Sequence, residues 1–316
     1  MDKSVIEKVL SGDKRSVAKL ISAVENEPGK YEEVMDLIFP HSLQAHRVGI
    51  TGPPGSGKST LVDALTESVR KNDNLSVGII AIDPSSPFTH GALLGDRIRM
   101  RRIGLDNSVF IRSMATRGAL GGLCAAASDT ADILAASGKQ FVITETVGVG
   151  QSEVEIAQIA DTCIVVLCPG SGDTIQTLKA GLMEIGEIFV VNKADHEGAN
   201  QLLMDIRTTL ELREHKPDEW LPVVLQTVAT EGHGINELRS EIKKHRDFLS
   251  QYDRLNNRRR KAIAKKIRGL VRYKLESSLY THDEGELLSS LSKSVLEGKV
   301  TLYEAVKKIF GKVNKI

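Results

Sequence analysis

The stretch GPPGSGKST, Gly52 to Thr60, constrains this chain more than any other. It fits the spacing G-x-x-x-x-G-K-[ST], directly after the apolar run VGIT and just before a segment with helical periodicity. In that context Gly52, Gly55 and Gly57 free the backbone to wrap phosphate oxygens, with amide N–H groups and a helix N-terminus as a positive cradle. Pro53, Pro54, Ser56 and Thr60 complete the loop, Lys58 is expected to reach the β and γ phosphates, and the Ser59 hydroxyl is expected to bind Mg²⁺. A chance glycine-rich turn would not bring the strand and the helix with it.

Around this motif the chain alternates between two textures. RVGIT, SVGIIAID, SVFIRSM, FVITET, TCIVVLC, EIFVVNK and LPVVLQTV are short, rich in β-branched residues and apolar throughout, separated by helical stretches. Strands apolar on both faces belong to a mainly parallel sheet covered on each side, so residues 47–250 are expected to form a doubly wound α/β domain of the P-loop kind. Residues 1–46 show helical spacing (Val5, Val9, Leu10, Val17, Leu20, Ile21) and read as an N-terminal helical extension. Residues 251–316 lack strand signals and read as two or three helices, with Leu302, Ala305, Val306, Ile309 and Phe310 on one stripe.

Composition excludes several classes. A net charge of +1 with 26% charged and 41% hydrophobic residues gives no global attraction to nucleic acid or membrane. The N-terminus lacks the apolar core of a signal peptide and no apolar run approaches bilayer length, so a cytoplasmic or organelle-matrix location is expected. The cysteines Cys124, Cys163 and Cys168 form no disulfide framework and read as packing residues. The basic run Arg254 to Lys274 reads either as a surface for an acidic partner or as a solvated helix face, and the second is the commoner case.

Asn192, Lys193 and Asp195 form N-K-x-D at the end of the run EIFVV. A carboxylate accepts from both the ring N–H and the exocyclic amine of guanine, a donor pair adenine lacks, so the expected ligand is GTP or GDP. Asn192 is expected to support the base and its loop, and the stem of Lys193 to cover the ring. Val228, Ala229 and Thr230, after a further strand, are expected to add backbone contacts. The stretch ETVGVGQSE starts with Glu145 at a strand's carboxyl end, the ligand-binding edge of such sheets. Its glycines Gly148 and Gly150 would let the segment reorder when the γ-phosphate leaves. Asp83, ending a strand, and Asp96, after a glycine-bearing loop, can approach the same metal, although Asp96 also reads as a plain helix cap.

GPPGSGKST, DPSSPF, GDRIRM, MATRGALGGL, ETVGVGQSE, GDTIQTLKAG and NKAD together resemble the MeaB/ArgK family of GTPases, which includes the methylmalonic aciduria type A protein. The resemblance runs from the N-terminal helices through at least residue 250. It implies a GTP-hydrolysing chaperone of an adenosylcobalamin-dependent acyl-CoA mutase, gating cofactor loading and protecting the mutase. It places Lys58, Asp83, Asp96 and Glu145 at the catalytic and Mg²⁺ site. Gly148, Gly150 and Gln151 fall in a switch, and Gln176 and Lys179 in a further loop that senses the mutase. The C-terminal helices become a homodimer region. His90 departs from the small residue more usual in relatives. No glutamine or arginine is placed by sequence to orient the attacking water, so hydrolysis is expected to be slow without a partner. Three rivals stand beside this reading: a kinase of an amino-acid transport system, a nickel-type metallochaperone GTPase, and a GTP-dependent binding module that does not hydrolyse. The kinase lacks a catalytic loop in the sequence, and the nickel reading lacks a Cys/His ligand cluster.

Overall fold

The computed structural model describes residues 3–27, 30–83, 103–115, 122–146, 152–170, 181–214, 218–279 and 282–313. Seven strands form one all-parallel sheet: β1 (His46–Thr51), β2 (Val77–Asp83), β3 (Val109–Ala115), β4 (Phe141–Glu145), β5 (Thr162–Leu167), β6 (Ile188–Asn192) and β7 (Val223–Thr227). Their order is β3-β2-β4-β1-β5-β6-β7. In register, Val48 faces Ile143 on β4 and Thr162 on β5, which sets β1 at the centre with the helices' connections leaving it on both sides.

The central strands β4, β5 and β6 are buried along their whole length because both of their faces are covered, whereas edge strand β7 is only half-buried. The helices are α1 (Lys3–Leu10), α2 (Lys14–Asn26), α3 (Glu32–Ile38), α4 (Lys58–Asp73), α5 (Gly122–Ala136), α6 (Ala199–Glu211) and α7 (Ile235–Ser250). Val48, Ile50, Ile79, Ile143, Ile164 and Val190 point to one face and pack with Leu61 and Leu65 of α4 and Leu238 and Ile242 of α7. Their neighbours alternate to the other face: Ile80 and Val142 meet Leu20 and Ile21 of α2 and Leu134 of α5, while Val165, Phe189 and Val191 meet Leu202 and Ile206 of α6. Each such side chain, once buried, contributes roughly 1.5–3 kcal/mol.

The N-terminal helices therefore share the sheet's core. Residues 1–260 form one compact unit. Asp13 caps α2 by accepting from the Ser16 backbone N–H at 2.8 Å. Cys163 is fully buried in β5 and Cys168 lies buried just beyond it, both as packing residues, with burial pushing the Cys163 thiol up. Cys124, His90 and the segment around Asp96 are not among the side chains described.

Residues 261–316 form a second unit. It holds most of α8 (Arg254–Leu279) with α9 (His282–Leu296) and α10 (Leu302–Val313), and Leu291 and Ala305 are buried within it. Among the described residues no helix is long and apolar enough to cross a membrane.

Candidate functional site

The loop between β1 and α4 follows from its glycines. Gly52 has φ +136°, and a Cβ there would lie 2.0 Å from the Val166 carbonyl oxygen of β5. Gly57 has φ +87°, and a Cβ there would meet Asn192 Nδ2 at 2.3 Å. Only glycine fits either place, because the conformation and the space both forbid a side chain. Gly57 leads directly into α4, so Lys58 and Ser59 occupy the first turn of a helix whose leading amides have no partner inside the helix.

Lys58 is buried, and its Nζ donates to the carbonyl oxygens of Gly52 at 2.8 Å and Pro53 at 2.9 Å. Burial lowers its proton affinity, opposed by the charges of Glu145 and Glu153. Ser59 Oγ donates to Glu145 Oε1 at 2.6 Å, across from α4 to the end of β4. Glu145 is only 5% exposed, so this carboxylate is held inside the site rather than solvated beside it. Ser56 is fully buried and its hydroxyl has no hydrogen-bond partner among the described residues.

Asn192 joins this loop to the far side of the sheet. Its Nδ2 donates to the Ser56 carbonyl at 2.9 Å. Its Oδ1 accepts from Thr227 Oγ1 at 3.0 Å and from the Ala229 backbone N–H at 3.3 Å. The side chain expected to support the base and its loop thus has its polar atoms engaged by two segments of the chain, the β1–α4 loop and the end of β7, and acts as a tie between them. Lys193 adopts φ +58°, and Asp195 stands exposed with its carboxylate 3.7 Å from His196. The turn Val228–His233 is closed by reciprocal backbone bonds of 3.1 and 3.2 Å between its end residues, leaving Thr230 exposed at its tip.

The structure thus brings together Gly52, Pro53, Ser56, Gly57, Lys58, Ser59, Glu145, Asn192 and Ala229. Pro54, Gly55 and Thr60 lie exposed on the same loop and first helical turn, with half-buried Val228 and exposed Thr230 on the β7 loop. Asp83 ends β2 in register with Ala115, on the same edge of the sheet. Asp96, Gly148, Gly150, Gln151, Gln176 and Lys179 lie outside the described residues. Two residues carry parts that sequence reasoning did not assign. Thr227 holds Asn192, and Glu153, the last residue of ETVGVGQSE, is buried within electrostatic reach of Lys58, which opposes the rise that burial gives its proton affinity. Its only sequence signal was an acid closing a glycine-rich run.

Among the described residues no group of three or more His, Cys, Asp or Glu is placed to hold a metal. The Ser59 hydroxyl and Glu145 carboxylate are hard oxygen donors in contact, which suits Mg²⁺, an ion that keeps waters and phosphate oxygens as its other ligands.

The base of the sheet holds a second polar cluster. Arg259 Nε and Nη2 donate to the two oxygens of Asp161 at 2.9 and 2.6 Å, and Nη2 also donates to the Ala45 carbonyl at 2.7 Å. Arg258 reaches Glu187 Oε1 at 2.6 Å and the Ala160 carbonyl at 3.1 Å. Thr162 Oγ1 lies between His46 Nε2 at 3.0 Å and His245 Nδ1 at 2.7 Å. Within the basic run Arg258 and Arg259 are therefore turned inward into ion pairs, while Arg260 beside them stays exposed.

Comparison with known proteins agrees with this geometry. The family described as "Methylmalonyl Co-A mutase-associated GTPase MeaB" matches residues 17–284. A putative GTPase of Pyrococcus abyssi is 48% identical, with 97% of this chain and 96% of that protein covered. The GTPase ArgK of Escherichia coli is 32% identical over 88% of this chain and 86% of its own length. A methylmalonic aciduria type A homolog of Caenorhabditis elegans, described as mitochondrial, is 29% identical over 93% of this chain and 78% of its own. The crystal structure of a LAO/AO transport system kinase superposes with a TM-score of 0.73 at 25% identity, covering 99% of this chain and 97% of that one. With a phosphate loop tied through Asn192 to N-K-x-D and a family match over most of its length, the chain belongs to the MeaB family of GTPases.

Proposed function

We propose that this protein is a GTP-hydrolysing chaperone of an adenosylcobalamin-dependent acyl-CoA mutase, acting on cofactor loading and on protection of the mutase. The observation that carries the hydrolytic part is the 2.6 Å contact between Ser59 and Glu145 beside buried Lys58, at a helix N-terminus. The family match and the methylmalonic aciduria type A homolog support the choice of client.

In this reading Lys58 leaves the carbonyls of Gly52 and Pro53 and turns to the phosphates. Its ammonium and the amides of Gly55 to Ser59 then stabilise charge developing on the β–γ bridge. Ser59 and Glu145 hold Mg²⁺, with Asp83 and Asp96 as further candidates, and the ion when bound neutralises phosphate charge. Asp195 reads guanine, Lys193 covers the ring, and Val228 to Thr230 complete the base site. Gly148, Gly150 and Gln151 form the switch that answers the γ-phosphate, while Gln176 and Lys179 respond to the mutase. The C-terminal helices form a homodimer, and the protein works in the cytoplasm.

The test is GTP turnover, with ATP as control, by the full chain alone and with purified acyl-CoA mutases. Slow turnover that one mutase accelerates manyfold is the expected result. Turnover unmoved by every mutase, with GTP still bound, removes the chaperone reading. The likeness to a LAO/AO transport system kinase supports a second reading, phosphoryl transfer to protein, and label from γ-phosphate appearing on a polypeptide would select it.

A further inference from the structure

We propose a second anion site at the amino edge of the sheet, in the cleft between α4 and α7, for a small organic anion that carries an apolar group. The cleft has a volume of about 270 Å³, near the lower end of the roughly 300–1,000 Å³ usual for small-ligand sites. Its floor is apolar: Val69 from α4, Leu75, Phe141 at the start of β4 and Ile242 from α7. Its wall is cationic, because Arg239, Lys243 and Arg246 recur at helical spacing and so share one side of α7.

The three cations gathered over this apolar floor are only partly neutralised by the protein itself. Arg239 Nη1 binds Asp73 at 2.6 Å, yet its Nε is buried with no hydrogen-bond partner among the described residues. Lys243 and Arg246 make no side-chain hydrogen bond or ion pair among the described residues, whereas Lys244, one position on, pairs with Glu241 at 2.6 Å on the same helix. The acids lining the cleft are Asp73 and Asp247, so one positive charge remains over. His46, also in the lining, adds none: it is buried, uncharged at neutral pH and occupied with Thr162.

Like charges at helical spacing repel, and an anion between Lys243 and Arg246 relieves that repulsion while making charge-assisted hydrogen bonds. The apolar floor adds affinity for a ligand with an aryl or acyl group over a bare inorganic ion. The cleft is separate from the phosphate loop. His46 and Phe141 begin the strands whose far ends carry Gly52 and Glu145, about 13–20 Å away at the rise of a β-strand.

The test uses the full chain with its nucleotide site filled by GDP. Phenyl phosphate, inorganic phosphate and phenol are titrated by calorimetry into the wild type and into a Lys243→Ala/Arg246→Ala variant, which changes two exposed residues and leaves the Arg239–Asp73 pair intact. The expected result is saturable binding of one phenyl phosphate per chain. Inorganic phosphate and phenol should each bind at least tenfold more weakly, and the variant should lose at least tenfold with GDP affinity unchanged. No saturable binding, equal affinity in the variant, or inorganic phosphate binding as tightly as phenyl phosphate would overturn the proposal.

Discussion

The two edges of the sheet are built on opposite terms. At the carboxyl edge Lys58 is held by two loop carbonyls, the Ser56 hydroxyl has no partner among the described residues, and Asp195 stands in solvent. At the amino edge Asp161 takes both prongs of Arg259 and the Arg47 backbone N–H at 3.0 Å, and Glu187 takes Arg258 and the Cys163 N–H at 2.6 Å. One edge keeps polar groups in reserve for a ligand. Around Asp161 and Glu187 the other has closed its charges on one another, and the α7 cations Lys243 and Arg246 over the cleft are left unpaired among the described residues. The difference teaches that a buried charge is informative by its partner: carbonyls that a phosphate can replace mark a site, while a complete carboxylate–guanidinium pair marks structure.

Mutations at each edge should therefore fail differently. Arg259→Ala leaves Asp161 buried and uncompensated, so unfolding stability should drop by about 3–5 kcal/mol, read as a shift in the denaturant midpoint. A protein that loses GTP hydrolysis but keeps that midpoint would break the comparison. Lys58→Ala should do the reverse, lowering GTP turnover by about 10²–10³-fold through lost charge stabilisation with little change in melting temperature. Near-normal turnover in that variant would remove Lys58 from the site.

Acid sharpens the contrast further. Burial holds His46 down at about 4 and His245 down at about 3, against an ordinary value near 6.5. Below pH 6.5 the unfolded chain takes up protons that these folded imidazoles refuse, so stability should fall by about 1.4 kcal/mol per pH unit for each as pH drops toward 4. Asp161 is held below the ordinary carboxylate range by Arg259, despite its burial, so its contribution persists down to lower pH and is lost only as pH falls through that depressed value. Urea midpoints at pH 7 and pH 5 test this, and equal midpoints would count against the buried neutral pair.

Asp195→Asn should reduce the preference for GTP over ATP by at least about tenfold, since one acceptor for the guanine donors is lost. Competition binding reads this, and an unchanged ratio would take guanine recognition elsewhere. The smallest effect belongs to neither edge. Lys71→Ala removes an exposed i,i+4 pair with Glu67 and should cost at most about 0.5 kcal/mol.

Much of this was legible from residues alone. All seven strands could be read because each carries a short run of apolar, mostly β-branched residues, a pattern that survives without knowledge of neighbours. The phosphate loop could be read because its glycines, lysine and serine lie together in sequence. Other features were not legible. Arg259 stands 98 positions from Asp161, and inside a run of Lys and Arg nothing local distinguishes the two arginines that turn inward. Glu153 and Thr227 gave no motif, since a buried acid and a supporting hydroxyl are defined by what surrounds them.

The sequence by itself determined the fold class, the phosphate and base motifs, and the family, because each is carried by local spacing. Only the tertiary structure decided the strand order, the tie of Asn192 between two loops, the contact of Ser59 with Glu145, and the closed ion pairs beneath the sheet. Those depend on which distant segments share a neighbourhood in a low-dielectric interior, where a partner's distance sets the worth of every charge.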